Sequence, residues 1–145
     1  MITFPKLSLL RALALALPLL AMAPNAQAGS VSVSPTRLDG IHSNQTMLTV
    51  KAGGRDASLV QLRIVKWKKG TDPNRYSATR NVVVSPPMAK LGPRQELTVR
   101  IIRTSKKKPR GQECYRVLID RLPGPKQRGQ TVKLLVRQSV PLCFS

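Results

Sequence analysis

An all-β sandwich is the fold class this chain predicts, on three observations. Valine, threonine and leucine occur in short runs separated by Gly, Pro and Asn, the composition of strands bounded by turns. No apolar helical period extends beyond two turns. About seven such runs follow one another after residue 30, a number typical of two packed antiparallel sheets. No repeat period or low-complexity tract interrupts them.

The first 28 residues stand apart. Lys6 and Arg11 lead into the apolar run from Leu13 to Ala23, and Ala26-Gln27-Ala28 supplies small residues at cleavage positions. Residues 1–28 therefore read as a secretory signal peptide. The run is shorter than the ~20 apolar residues a membrane-spanning helix needs. The expected mature chain starts at Gly29, has no membrane span and is exported through the inner membrane of a bacterium. Subtracting 28 from 145 leaves 117 residues, enough for one domain with a real core but not for two.

Within that domain, Val31 to Ser34 forms the first strand. Pro35 lacks an amide and forces a kink or an edge position, and Thr36-Arg37-Leu38 continues beyond it. Met47 to Val50 is short and ends at the turn Ala52-Gly53-Gly54. Leu59 to Trp67 alternates, with Val60, Leu62 and Ile64 facing the core and Gln61, Arg63 and Val65 opposite. A loop over residues 70–74 precedes a weak strand at Asn81 to Val84, which Ser85-Pro86-Pro87 interrupts. Leu97, Val99 and Ile101 form one face of the next strand, and Tyr115, Val117 and Ile119 one face of the strand after it.

The last strand, Thr131 to Ser145, carries Val132, Leu134 and Val136 on one face and Lys133, Leu135 and Arg137 on the other. Gln138 breaks the first face, and Val140 and Leu142 resume it. Two readings are open: a strand buried in its own sandwich, or an apolar edge offered to a strand of another chain.

This strand and the one holding Tyr115 read as an antiparallel hairpin with its turn near Arg128. Such pairing brings Cys114 opposite Cys143, so a cross-strand disulfide is expected, the alternative being two buried free thiols.

Charge limits the partners. Removing Lys6 and Arg11 from the 25 basic residues leaves 23 against six acids, a net +17 on the mature chain. That field suits a nucleic acid, an anionic membrane surface or an acidic protein. Export and the scattering of Phe4, Trp67, Tyr76, Tyr115 and Phe144 argue against nucleic acid, because no stacking platform forms. The run Lys106-Lys107-Lys108-Pro109-Arg110 reads as a solvated loop. His42 is the sole histidine, read as a surface residue, and no set of His, carboxylate or free thiol offers a general base or metal site. Neither an enzyme nor a cofactor is expected.

Four fragments carry a resemblance: Ser34-Pro35-Thr36-Arg37-Leu38-Asp39; Ser85-Pro86-Pro87 with Leu91-Gly92-Pro93 and the Gln95, Leu97, Val99 alternation; Tyr115-Arg116-Val117-Leu118-Ile119-Asp120; and Arg137 followed by Ser139-Val140-Pro141-Leu142. In this order they resemble the periplasmic chaperones of the chaperone-usher pathway, in the branch called archaic. The resemblance covers the amino-terminal, immunoglobulin-like domain alone, over residues 29–145, and the second domain of that family is absent from this sequence.

The resemblance implies a seven-stranded immunoglobulin-like sandwich working in the periplasm, with pilus subunits and an outer-membrane usher as partners. Subunits of such pili lack one strand, and the chaperone lends its terminal strand to the groove left open. By position Val132, Leu134 and Val136 are the donated side chains. A basic anchor for the subunit's terminal carboxylate is also implied, and Arg37 matches it. The lysine that accompanies that arginine in the best-known branch falls on Pro141, so Arg116 and Arg137 are the candidates to partner Arg37. Arg121 stands where the family often has an acid. Apart from the resemblance, a basic exported module binding polyanions, or a structural sandwich, is the alternative.

Overall fold

The computed structural model describes residues 30–122 and 135–145, and among these every regular element is a strand. The expected signal peptide and the hairpin turn lie outside them. The strands are β1 (Val31–Ser34), β2 (Leu38–Ile41), β3 (Gln45–Ala52), β4 (Ser58–Trp67), β5 (Tyr76–Ala78), β6 (Val82–Ser85), β7 (Met88–Leu91), β8 (Glu96–Arg103), β9 (Glu113–Leu122) and β10 (Arg137–Phe144). One sheet has the order β1-β3-β8-β6, and the other has the order β2-β10-β9-β4-β5, with β7 also pairing β4.

The all-β sandwich expected from sequence is borne out, and the described residues form ten strands, some of them divisions of the expected runs. The first expected strand is cut at Pro35 into β1 in one sheet and β2 in the other, and Pro86 divides β6 from β7 in the same way. Proline has no amide to extend a ladder, so each Ser-Pro step lets the chain change sheets. Strand β5, in the stretch between the expected loop and Asn81, adds a short edge beside β4.

Alternation places the core between the sheets. Val60, Leu62 and Ile64 of β4, Val99 and Ile101 of β8, Tyr115, Val117 and Ile119 of β9, and Val140, Leu142 and Phe144 of β10 all pack into it. Each buried aliphatic contributes about 1.5–3 kcal/mol, so these faces set strand register. Tyr115 and Phe144 meet edge to face, with centroids 6.1 Å apart.

Among the described residues one buried charge, Arg103, stands at the end of β8. The Arg103 guanidinium grips Glu113 in a fork, Nε to Oε2 at 2.9 Å and Nη2 to Oε1 at 3.0 Å, while Nη1 donates to the carbonyls of Ser105 and Lys107. The hydrogen bond from Arg103 outweighs burial and holds the Glu113 carboxyl below its ordinary pKa. Arg103 thereby organises the basic loop, whose three lysines point to solvent.

Candidate functional site

Strand β10 lies between β9, to which it is antiparallel, and β2, to which it is parallel. Its register opposite β9 runs without a break from Arg137 against Asp120 to Phe144 against Glu113. Cys143 faces Cys114 with Cα atoms 4.2 Å apart, and the two sulfurs are bonded. That close spacing marks a non-hydrogen-bonded pair. Two residues along, Pro141 against Arg116 has the same phase, so the missing amide of Pro141 costs the β9 ladder nothing.

The even-numbered side of β10 changes character along its length. Phe144, Leu142 and Val140 are buried in the core. Gln138 follows, and its Nε2 donates to the carbonyl of Val31 on β1 in the opposite sheet. Before it in the chain, Val136 is 66% exposed and Leu135 51% exposed, and both line one open cleft with Arg63, Asp120 and Arg137. Within the described residues the strand begins at Arg137, later than the expected Thr131, and Leu135 and Val136 pair with no strand. Val132 and Leu134 lie outside the described residues.

The three candidate arginines do not form one cluster. Arg37 precedes β2 at the sheet edge, is exposed, and donates from Nε to the Asp39 carboxylate. Leu38 is the β2 partner of Leu142, so Arg37 and Pro141 flank that pair on its outer side. Arg116, opposite Pro141, occupies the same row on β9. Arg137 pairs with Asp120, four residues along β10 from Pro141 and roughly 13 Å away at strand spacing.

Their electrostatic surroundings differ as much as their positions. Arg116 packs its guanidinium over Trp67, 4.2 Å from the ring centroid, and Nη1 donates to Ser139 Oγ at 3.0 Å. Its Nε is buried without a hydrogen-bond partner, and it forms no ion pair among the described residues. Desolvation lowers its pKa from the ordinary arginine value. Arg137 instead donates Nε and Nη2 to the two oxygens of Asp120, and Nη1 to Tyr76 Oη at 3.2 Å. Asp120 also accepts from Arg63 Nη2 of β4 at 2.8 Å. Burial pushes the Asp120 carboxyl up, but the hydrogen bonds from Arg137 and Arg63 prevail and hold it below its ordinary value.

Two contacts here escape sequence reasoning: Asp120 joining Arg63 to Arg137, and Gln138 reaching β1. The signal for the first was present in alternation, which places Arg63, Asp120 and Arg137 on one side of neighbouring strands. Among the described residues no group of three or more His, Cys, Asp and Glu is placed to hold a metal ion. His42 is exposed. No helix among those residues is long and apolar enough to cross a membrane.

Comparison with known proteins adds a family. The family described as "Pili and flagellar-assembly chaperone, PapD N-terminal domain" matches residues 30–145. No curated protein matches. Among solved structures, a chaperone-tip adhesion subunit pre-assembly complex from the archaic chaperone-usher Csu pili of Acinetobacter baumannii is 21% identical with a TM-score of 0.64, over 79% of this chain and 56% of that one. The Salmonella enterica SafA pilin in complex with the SafB chaperone gives 23% identity and a TM-score of 0.67, over 81% and 55%. The E. coli chaperone DraB gives 22% and 0.63, over 81% and 55%. At these identities the likeness establishes the fold, and the chain spans little more than half the length of the chains it matches.

Proposed function

The chain belongs to the pilus and flagellar-assembly chaperones through their PapD amino-terminal domain, a non-enzymatic family, and we propose that it binds and stabilises pilus subunits by lending them the segment that leads into β10. The observation that carries this reading is the change in exposure at the start of β10. The strand fills the chain's own core with Phe144, Leu142 and Val140, whereas Leu135 and Val136, just before it, are exposed and pair with no strand. In the sequence Val132 and Leu134 precede Val136 at two-residue spacing, the spaced apolar side chains that a strand-deficient subunit's groove would take up. Main-chain hydrogen bonds supply the pairing, and the apolar side chains supply the register.

Arg116 is the anchor we assign to the subunit's terminal carboxylate. A desolvated guanidinium without an ion pair gains from an incoming carboxylate, and its planar fork suits two oxygens. Arg37, in the same row, joins it by exchanging Asp39 for the ligand. Arg137 is already committed to Asp120. Action in the periplasm after removal of residues 1–28, and delivery of the subunit to an outer-membrane usher, complete the reading.

The test is co-expression with pilus subunits from the same gene neighbourhood, using the chain with Val132, Leu134 and Val136 replaced by serine. Loss of soluble subunit is expected. Subunits that stay soluble with the altered strand would sink the reading. A second reading rests on Lys66, Lys68, Lys69 and Arg75, which with Trp67, Tyr115 and the single acid Glu113 line one open cavity, a predominantly basic site for polyanions. It predicts binding that survives the serine substitutions and weakens steeply with salt.

A further inference from the structure

We infer that Arg137 and Gln138 together form an exit clamp, which sets where β10 stops serving its own core and which apolar side chain is first available to a partner. The inference rests on the strand-lending reading above. Consecutive residues of a strand point to opposite faces, and these two are tied on both faces at once. On the outer face Arg137 is held by Asp120 of β9, which Arg63 of β4 holds in turn. On the core face Gln138 donates to the Val31 carbonyl of β1, in the other sheet. Three strands, β9 and β4 of one sheet and β1 of the other, thus converge on two residues of β10.

Burial changes sharply across that point. Val140 is 3% exposed on one side and Val136 66% exposed on the other. Gln138 is the one polar residue at the even-numbered positions from 132 to 144 of the sequence. An apolar residue there would make the row continuous, and a two-residue slide keeps every side chain on its own face. The Cys114–Cys143 bond forbids such a slide at the far end of β10. It does not forbid a bulge at the near end, where one extra residue can be taken into the strand. The two ties at residues 137 and 138 close that possibility, so the disulfide and the clamp hold β10 at both ends. Asp120 is accordingly a positioning residue for the lent segment, acting through Arg137.

Two isosteric variants test the clamp on the full chain with its disulfide intact. Gln138→Glu replaces the amide donor with a carboxylate that cannot donate to Val31, and Asp120→Asn removes the charge that both arginines use. In the free chain, amides of residues 137–140 and 142 should exchange about tenfold faster in either variant, while those of β3 and β8 stay unchanged. In complex with a co-expressed pilus subunit, a photo-crosslinker at position 136 should reach one subunit position in the native chain and spread to neighbouring positions in the variants. Asp120→Glu should restore the single site. Unchanged exchange at residues 137–140 and 142, or faster exchange with an unchanged crosslink, overturns the clamp. If the native chain captures no subunit, the strand-lending reading fails, and the exchange measurement alone still decides whether the clamp exists.

Discussion

Arg116 stands over Trp67, its guanidinium 4.2 Å from the ring centroid, with its Nε buried and unbonded. The stacking favours the cation by about 0.5–2 kcal/mol, whereas leaving a buried donor unmet costs about 1–3 kcal/mol. The two nearly cancel, so this arginine is poorly explained by stability. Arg116→Met should leave stability within about 1 kcal/mol of the native chain in urea unfolding, while capture of a subunit falls at least severalfold. A large loss of stability with capture intact would make Arg116 structural instead.

The bond between Cys114 and Cys143 closes a loop of 29 residues in sequence separation. In the chain-entropy account a loop of that length is worth about 3–4 kcal/mol through the unfolded state. Replacing both cysteines by alanine should lower the unfolding free energy by about that amount. Denaturant curves with and without the bond measure it directly, and a difference under about 1 kcal/mol would contradict the entropic account.

Acid should destabilise the chain through two carboxylates. Asp120 and Glu113 both have folded pKa values below the ordinary ones of about 3.9 and 4.3. A lowered folded pKa gives stability that is fully present above the unfolded value and is lost as pH falls through the folded value. Thermal midpoints should therefore hold steady above about pH 5 and drop below the ordinary carboxylate range. Asp120→Asn should flatten part of that drop, and an unaltered profile in this variant would show that Asp120 contributes none of it.

Arg103 offers a second electrostatic test. Its side chain is 5% exposed and makes two hydrogen bonds to Glu113. Arg103→Met fills similar space but leaves Glu113 without its fork. Because Glu113 is itself about one-third exposed, water recovers part of the loss, and a cost of about 1.5–3 kcal/mol is expected. Hydrogen exchange in residues 104–112 should rise with it, since the same guanidinium holds the carbonyls of Ser105 and Lys107.

What was readable from sequence follows from the range of each interaction. Period-two alternation identifies Val60, Leu62 and Ile64, or Tyr115, Val117 and Ile119, as core from a few neighbouring residues. The pairing of Cys114 with Cys143 was readable because one hairpin relates them. The sheet changes at Pro35 and Pro86 were only half readable. Proline announces a break, but whether the chain resumes in the same sheet depends on partners far along the chain. Gln138 reaching Val31, 107 residues away, has no local signature beyond a polar residue in an apolar row. The arginines look alike in sequence, and only register separates Arg137, beside Asp120, from Arg116, opposite Pro141.

Val136, just before β10, and Val140, within it, should respond oppositely to the same change. Val140 is buried between the sheets, and truncating it to alanine removes methyl groups from a packed core at a cost of about 1–3 kcal/mol. Val136 is mostly exposed, so Val136→Ala should change stability by less than about 0.5 kcal/mol. If the exposed valine is there for a partner, the order reverses for capture: Val136→Ala should reduce recovered subunit more than Val140→Ala does, once both are compared at a temperature where each chain is fully folded. Co-purification yields against urea-derived stabilities make the comparison. Equal effects of the two substitutions on capture would mean that folding alone governs it, and that Val136 belongs to no binding surface.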